Sequence, residues 1–458
     1  MPWRPCRRPE TRLALLAAVL VLPTLGGCTG GVDAPVAPVS PDPEAAFLAD
    51  PLLGYPRGVS VDERLRLSRA HEALVGRRQG SATSSSVSTA TSEAVDLLER
   101  NPDLHPARLV LAQAELVTGD SRAALERVRR LVQEVEGYFA ARLLLARAAE
   151  KVGDLVAAYD GYFDLSERSA AARQRGEEIR KRVLEIVANR SADALRRRRH
   201  DEAGAAVKLL AKWAAGEPVT LFAARDLAAA VGDREAELRA LRQLEPQFPG
   251  NRDLRGERAE LELEVGEASV GLRIYQDLAT AAPDDPVLAG KLARAKFLWR
   301  LTLLPAEVQT LVRQPRLSRG EFAAVLYWLF PQVRYGQSRS GTIATDVLDH
   351  QYRDEIVRAV NLGLLSVDPT LHTYRPEETQ TRASALVALL ELLGRQEPRL
   401  ACLGPPGPLD ESDAAGVCRS ASRCGLVGEQ AECLPLAALS GPDAFEMSRG
   451  ALGQLGIE

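Results

Sequence analysis

The chain has 458 residues, 46% hydrophobic and 26% charged, which is enough for two or three folded domains and too apolar for a disordered chain. Its formal net charge of −4 provides no basic field, so no nucleic-acid partner is expected. Aromatic residues make up only 5%, while Ala, Leu, Arg and Glu dominate; this argues against a β-sandwich and for helices, in which those side chains lose little freedom.

In chain order, Arg4, Arg7, Arg8 and Arg12 surround the start of an apolar run over 13–22, and Leu25-Gly26-Gly27-Cys28 follows. That run is too short to span a bilayer and reads as the core of a signal peptide. Leu-Gly-Gly-Cys resembles a bacterial lipobox. The resemblance implies that 1–27 are a lipoprotein signal peptide and that Cys28 carries the lipid; ordinary secretory cleavage is the alternative. A lipidated Cys28 makes a membrane the partner through its acyl chains. Thr29, standing where an Asp would favour the inner membrane, implies the outer membrane facing the periplasm. Loss of four Arg and one Glu takes the mature chain from −4 to −7. Residues 28–58, with "GGVDAPVAPVSPDPE", read as a lipidated cysteine and a proline-rich tether.

A helix is expected over 61–74. The serine-rich stretch "GSATSSSVSTATS" has little apolar surface to bury, and a mobile loop is expected over 79–92. A repeat then begins. Gly119-Asp120 with Ala124 recurs 34 residues on as Gly153-Asp154 with Ala158, and Gly232 and Gly266 are again 34 apart. Pro249 and Pro283 each stand 17 residues beyond their glycine, and Pro102 stands 17 before Gly119. A glycine in the left-handed conformation ends one helix, a small residue lets the next approach closely, and proline stops it. A weaker unit with His200-Asp201 and Ala205 fits 183–218. This phrase and period resemble the tetratricopeptide repeat. The resemblance implies a superhelical solenoid over 59–302, of about five or six units, with a protein or peptide partner on its concave face. Arg196 to Arg199, four consecutive positions that point around a helix, read as a solvated face.

Beyond 303 the period stops. Residues 345–394 contain Asp346-Val347, Tyr352, "AVNLGLL", "TYRP" and then Thr381-Arg382-Ala383-Ser384 opening an apolar helix. This resembles the S-layer homology motif, whose last phrase is usually Thr-Arg-Ala-Glu; Ser384 departs from it. "LSRGEFAAVLYWLF" supplies the second helix of a preceding copy. A degenerate copy over 402–458 sets Gly425 against Gly363 and Ser440-Gly441-Pro442-Asp443 against 381–384. Three copies imply a small helical pseudo-threefold domain over 303–458, so the expected fold class is all-α throughout. Ser318, Thr381 and Ser440 are good helix caps, with Glu321 and Asp443 at capping-box spacing. Capping does not explain the arginines, whose charge opposes the helix dipole. By the resemblance, Arg319 and Arg382, with Asp346, His350 and Tyr374, are candidate contacts to peptidoglycan or another cell-wall polymer. The alternative is a surface arginine paired with Glu377 or Asp346, in a domain that serves only as a structural part of an envelope assembly or secretion complex.

Cys402, Cys418, Cys424 and Cys433 remain after export and lipidation, and suggest two disulfides with three pairings open. Zinc is the rival, without a Cys-x-x-Cys pair to support it. No nucleophile elbow, phosphate-binding glycine loop or His-Glu-x-x-His occurs, so no enzyme, cofactor or metal is expected.

Overall fold

The computed structural model describes residues 45–78, 84–338, 341, 344–403, 413–428 and 435–457. The signal run, Cys28, most of the tether and Cys433 lie outside the described residues. Within them the chain is all-α, with two isolated β-bridges, and no helix is long and apolar enough to cross a membrane. Two compact units divide between Gly176 and Glu177.

The first unit holds α1 (Val61–Arg78), α2 (Ser84–Arg100), α3 (His105–Thr118), α4 (Ser121–Glu134), α5 (Phe139–Val152), α6 (Leu155–Leu165) and the first turns of α7 (Ala170–Arg196). From α1 to α6 each helix packs on its sequence neighbour. The mobile loop expected over 79–92 is corrected here: α2 begins at Ser84. Val87, Ala90, Ala94 and Leu97 form one helical stripe and are buried in a core shared with Leu67 and Leu74 of α1. Tertiary burial of that stripe outweighs the weak helix propensity of its serines and threonines.

The glycine turns form as the spacing predicts at three sites. Gly119, Gly153 and Gly232 have φ of 94°, 96° and 77°, and Asp120, Asp154 and Asp233 accept a hydrogen bond from the amide three residues on. Gly266 differs, because it is absent from the left-handed region. It is small for want of space, since a Cβ there would overlap Glu262 Oε2 and lie 2.8 Å from Leu238 Cδ2. The turn without glycine is built by Arg198 at φ 58°, with Arg199 N–H donating to Ala194 O at 2.8 Å.

Residues 45–57 form a strap on the first unit outside any α-helix. Phe47 and Leu48 are 4% and 3% exposed. The Tyr138 hydroxyl donates to Pro51 O, Gln113 Nε2 donates to Ala49 O at 2.7 Å, and the Ala140 amide donates to Leu53 O at 3.2 Å.

The second unit continues α7 and adds α8 (His200–Ala214), α9 (Pro218–Val231), α10 (Arg234–Leu244), α11 (Arg252–Glu264), α12 (Ala268–Ala281) and α13 (Pro286–Thr302), with neighbours packed from α8 to α13. Gly271 lets α11 and α12 approach, since a Cβ would meet Ala259 O and Leu263 Cγ at 2.8 Å. There follow α14 (Ala306–Leu311), α15 (Arg319–Leu329), α16 (Pro331–Tyr335), α17 (Arg353–Asn361), α18 (Arg382–Gln396), α19 (Ala414–Arg423) and α20 (Gly441–Gln454). These last helices share one apolar core that includes Phe322, Leu326, Leu389, Leu393 and Phe445.

The second helix of each sequence copy is α15, α18 or α20, and their starts are tied into a closed ring. Leu317 N–H donates to Leu439 O at 2.8 Å, Leu439 N–H to Gln380 O at 2.8 Å, and Gln380 N–H to Leu317 O at 2.9 Å. Each donor precedes the cap residue of its copy. The first helical amides repeat the pattern: Arg319 donates to Glu378 O, Arg382 to Ala437 O and Gly441 to Gln314 O. Amides left free by every helix start are thereby satisfied by a neighbouring copy. A disulfide joins Cys402 and Cys424, whose Cα atoms are 4.9 Å apart, and so fixes one of the pairings left open by sequence; Cys418 is also disulfide-bonded. A zinc site using Cys402 and Cys424 is thereby overturned.

Candidate interaction surfaces

The starts of α15, α18 and α20 are capped by the residues their sequences predict, but the capping box expected from Ser440 and Asp443 gives way to Asp443 Oδ2 accepting from Ser440 Oγ at 2.8 Å. Ser318 Oγ accepts from Glu321 N at 3.2 Å while the Glu321 carboxylate accepts from Ser318 N at 2.7 Å, a complete capping box. Thr381 and Ser440 accept from Ser384 N and Asp443 N, each at 3.2 Å.

The arginines that follow Ser318 and Thr381 are committed within the bundle. Arg319 donates from Nε to Tyr374 O and from Nη2 to Ser366 O, both at 2.9 Å, and its guanidinium stands 4.6 Å from the Tyr374 ring centroid. The Tyr374 hydroxyl returns a hydrogen bond to Arg319 O at 2.7 Å. Tyr374 is 1% exposed, and burial pushes its phenol well above the ordinary range. Arg382 pairs from Nη1 with Asp443 Oδ2 at 2.9 Å, and its side chain is 15% exposed. Its Nε is buried with no hydrogen-bond partner. Neither guanidinium bonds Glu377 or Asp346; backbone carbonyls and Asp443 take those places.

Asp346 and His350 serve the same loop. The Asp346 carboxylate accepts from Tyr374 N at 2.8 Å and Arg375 N at 2.7 Å, holding a stretch in which His372 and Arg375 adopt φ of 53° and 58°. Left-handed backbone at two non-glycine residues is costly, and those carboxylate bonds offset the cost. His350 Nδ1 accepts from Tyr352 N at 3.1 Å, and its Nε2 lies 3.2 Å from Glu377 Oε1. Its ring covers Gly320, where a Cβ would come within 2.7 Å of Cε1. Arg319, Asp346, His350 and Tyr374 therefore meet around one loop, and Arg382 stands at a separate helix start.

Sequence reasoning passed over a neighbouring group. Arg334 stands 4.3 Å from the Trp328 ring, 5.1 Å from Tyr327 and 5.7 Å from Tyr335, and Tyr335 is 76% exposed. The only signal was the aromatic density of "YWLFPQVRY". Aromatic faces beside a cation suit stacking on a planar or sugar-like ligand.

In the second unit, α11, α12 and α13 border an open cleft of about 510 Å³ lined by Arg252, Glu257, Glu260, Tyr275, Val287 and Lys291 among others. The Glu260 carboxyl lies below its ordinary range. Burial works upward, and is outweighed by the Tyr275 hydroxyl at 2.6 Å and by Lys291 at 3.2 Å. Glu257 pairs with Arg225 at 3.1 Å, and the Asp285 carboxylate accepts from Val287 N and Leu288 N as the cap of α13. Val287 remains 65% exposed beside these charges. The cleft thus offers both signs of charge and an apolar contact, the chemistry of a peptide surface, and no histidine or cysteine lines it. Among the described residues no group of three or more His, Cys, Asp or Glu assembles into a metal site.

No protein-family model matches the sequence, and no curated protein matches it. Three solved structures are similar in fold. A thermophilic TPR protein of Thermus thermophilus is 19% identical, over 50% of this chain and 98% of its own, with a TM-score of 0.17. A tetratricopeptide repeat protein of Parabacteroides merdae is 13% identical over 55% and 97%, at 0.21. The TPR domain of P58(IPK) is 13% identical over 86% and 99%, at 0.27. These likenesses concern the fold alone, and at such TM-scores the helix-pair architecture stands on the packing described above.

Proposed function

We propose that the chain is a non-enzymatic interaction scaffold of the cell envelope, in which stacked helix pairs hold a protein partner and the C-terminal bundle, related to S-layer homology domains, acts as a structural end without binding glycan. The partner reading is supported by the cleft of about 510 Å³ on α11 to α13, with Val287 exposed among charges of both signs. The structural reading of the bundle is supported by the engagement of Arg319 with two carbonyls and of Arg382 with Asp443. A guanidinium so committed would have to break those bonds before meeting an acidic sugar. Placement in the envelope rests on the basic start, the apolar run over 13–22 and Leu25-Gly26-Gly27-Cys28.

The test uses the full chain, tagged at its C-terminus. Membrane fractions should contain it, and Cys28→Ala should release it; a Cys28→Ala chain that is processed and retained as before would sink the lipid anchor. Affinity recovery should yield a defined protein complex that Val287→Asp loses while remaining folded. Purified sacculi should not retain the chain. A second reading, glycan binding by the bundle, is favoured by the exposed Tyr335 beside Arg334 and Trp328. Sacculus retention that Tyr335→Ala abolishes would put it first; retention abolished by Arg319→Ala with Arg382→Ala would instead return the arginines to a binding role.

A further inference from the structure

The strap over 45–57 is held as a groove holds a peptide. Three of its side chains, Phe47, Pro51 and Tyr55, recur every fourth residue and sit against the first unit. The Phe47 ring lies 5.7 Å from that of Tyr162, with the Arg147 guanidinium 4.9 Å from its centroid. Tyr55 lies 5.3 Å from the Tyr138 ring, and its hydroxyl is 3.3 Å from His105 Nδ1. Between these anchors the face reads main chain rather than side chain: Gln113 reaches Ala49 O, Tyr138 reaches Pro51 O and the Ala140 amide reaches Leu53 O. Donors on a protein face that bond a segment's backbone carbonyls, with contacts to its spaced side chains, are the pattern by which a protein surface takes an extended peptide.

Two further observations separate the strap from a permanent part of the core. It has no α-helix of its own, and Leu53 at its middle is 49% exposed.

We propose that residues 45–57 are a tethered, exchangeable ligand of the α3 and α5 face, and that this face takes a partner segment carrying an aromatic residue, a proline and a second aromatic residue at four-residue spacing. The proposal rests on the partner reading above and supplies the chemistry of one partner. Because the strap is covalently attached, it competes at an effective concentration on the order of millimolar. An incoming segment wins by binding more tightly or by being presented close by, so the face is closed to weak ligands and open to strong ones.

The probe is a fluorescein-labelled peptide of residues 44–58, titrated by anisotropy into three forms of the full chain. These are the wild type, Phe47→Ala with Tyr55→Ala, and that pair with Gln113→Leu. The double variant, its own strap weakened, should bind the peptide at least about ten-fold more tightly than wild type, since the tethered competitor is removed. Gln113→Leu should abolish the gain. A double variant with unchanged circular dichroism and no gain in affinity overturns the proposal. If that variant does not fold, hydrogen exchange on the wild type decides. The Ala140 amide bonds only the strap, and should exchange about a hundred-fold or more faster than amides inside α5. Exchange of Ala140 in step with the α5 interior would mean that the strap leaves only when the unit unfolds, and the proposal fails. Peptide exchange without any recovered partner would sink the partner reading alone; a recovered partner without peptide exchange would sink this one alone.

Discussion

In the helix pairs, Asp120, Asp154 and Asp233 cap helices whose packing partners come from the next few dozen residues of chain. In the bundle, Ser318, Thr381 and Ser440 cap helices just as well, yet the adjoining amides of Leu317, Gln380 and Leu439 find their acceptors in other copies of the motif. The same local chemistry thus builds two kinds of cooperativity. A helix pair lost from a stack removes one neighbour contact on each side, whereas a ring member lost from the bundle leaves one donor and one acceptor unsatisfied at two other helix starts.

The largest expected effect tests the closed side of that contrast. Opening the Cys402–Cys424 disulfide, which bridges a sequence separation of 22, should cost the bundle about 3 kcal/mol, read as a lower denaturant midpoint for exchange of the α18 and α19 amides. Amides of α3 to α6 should keep their protection; an equal loss there would abolish the distinction between the two regions. Gly441→Ala comes next. A Cβ at that position would overlap the Leu311 carbonyl oxygen, a backbone atom that cannot swing aside, so about 2–3 kcal/mol should be lost from the bundle. The same exchange measurement should show α15 and α18 weakened along with α20, because the ring passes through all three.

Gln380→Leu should act in the opposite direction. Gln380 is 1% exposed, its carboxamide Nε2 and Oε1 both lack hydrogen-bond partners, and the equivalent ring positions are Leu317 and Leu439. Removing an unsatisfied buried amide while keeping the ring backbone should raise bundle stability by about 1–2 kcal/mol, visible as a higher midpoint; a lower one would mean that the side chain has a partner in solution. The smallest change belongs to the stack. Asp154→Ala removes the cap that accepts from Ala157 N and should cost about 1 kcal/mol, confined to α6 and its immediate neighbours. Spread of that loss to α1 and α2 would contradict the local character of the pairs.

Legibility in the sequence followed the same divide. Gly119, Gly153 and Gly232 were readable because a left-handed turn needs glycine and the period repeats it. Arg198 performs the same turn, unreadable because the surrounding helices force the backbone rather than the residue choosing it. The helix from Ser84 was missed because serine and threonine mask a stripe of four small or apolar residues, a signal that counts only once α1 is there to cover it. The bundle caps could be read from Ser318, Thr381 and Ser440, but the ring could not, since backbone pairing across copies leaves no trace in residue type. Arg319 stood out as unexplained by capping, and its partners proved to be the carbonyls of Ser366 and Tyr374, groups carried by every residue and therefore invisible to a search for carboxylates. The strap contacts of Phe47, Pro51 and Tyr55 were unreadable for a related reason: their partners on α3, α5 and α6 are distant in sequence.

The ring also imposes an order on synthesis. Chains emerge N-terminus first and their early parts fold as they appear. Each helix pair can pack on the pair made just before it, so the stack closes step by step. The ring has no such intermediate: until Leu439 exists, the Leu317 amide has no acceptor and the Gln380 carbonyl no donor. A chain that stops short of Leu439 therefore leaves the bundle without Leu439, Phe445 and Leu452, and its apolar core stays open.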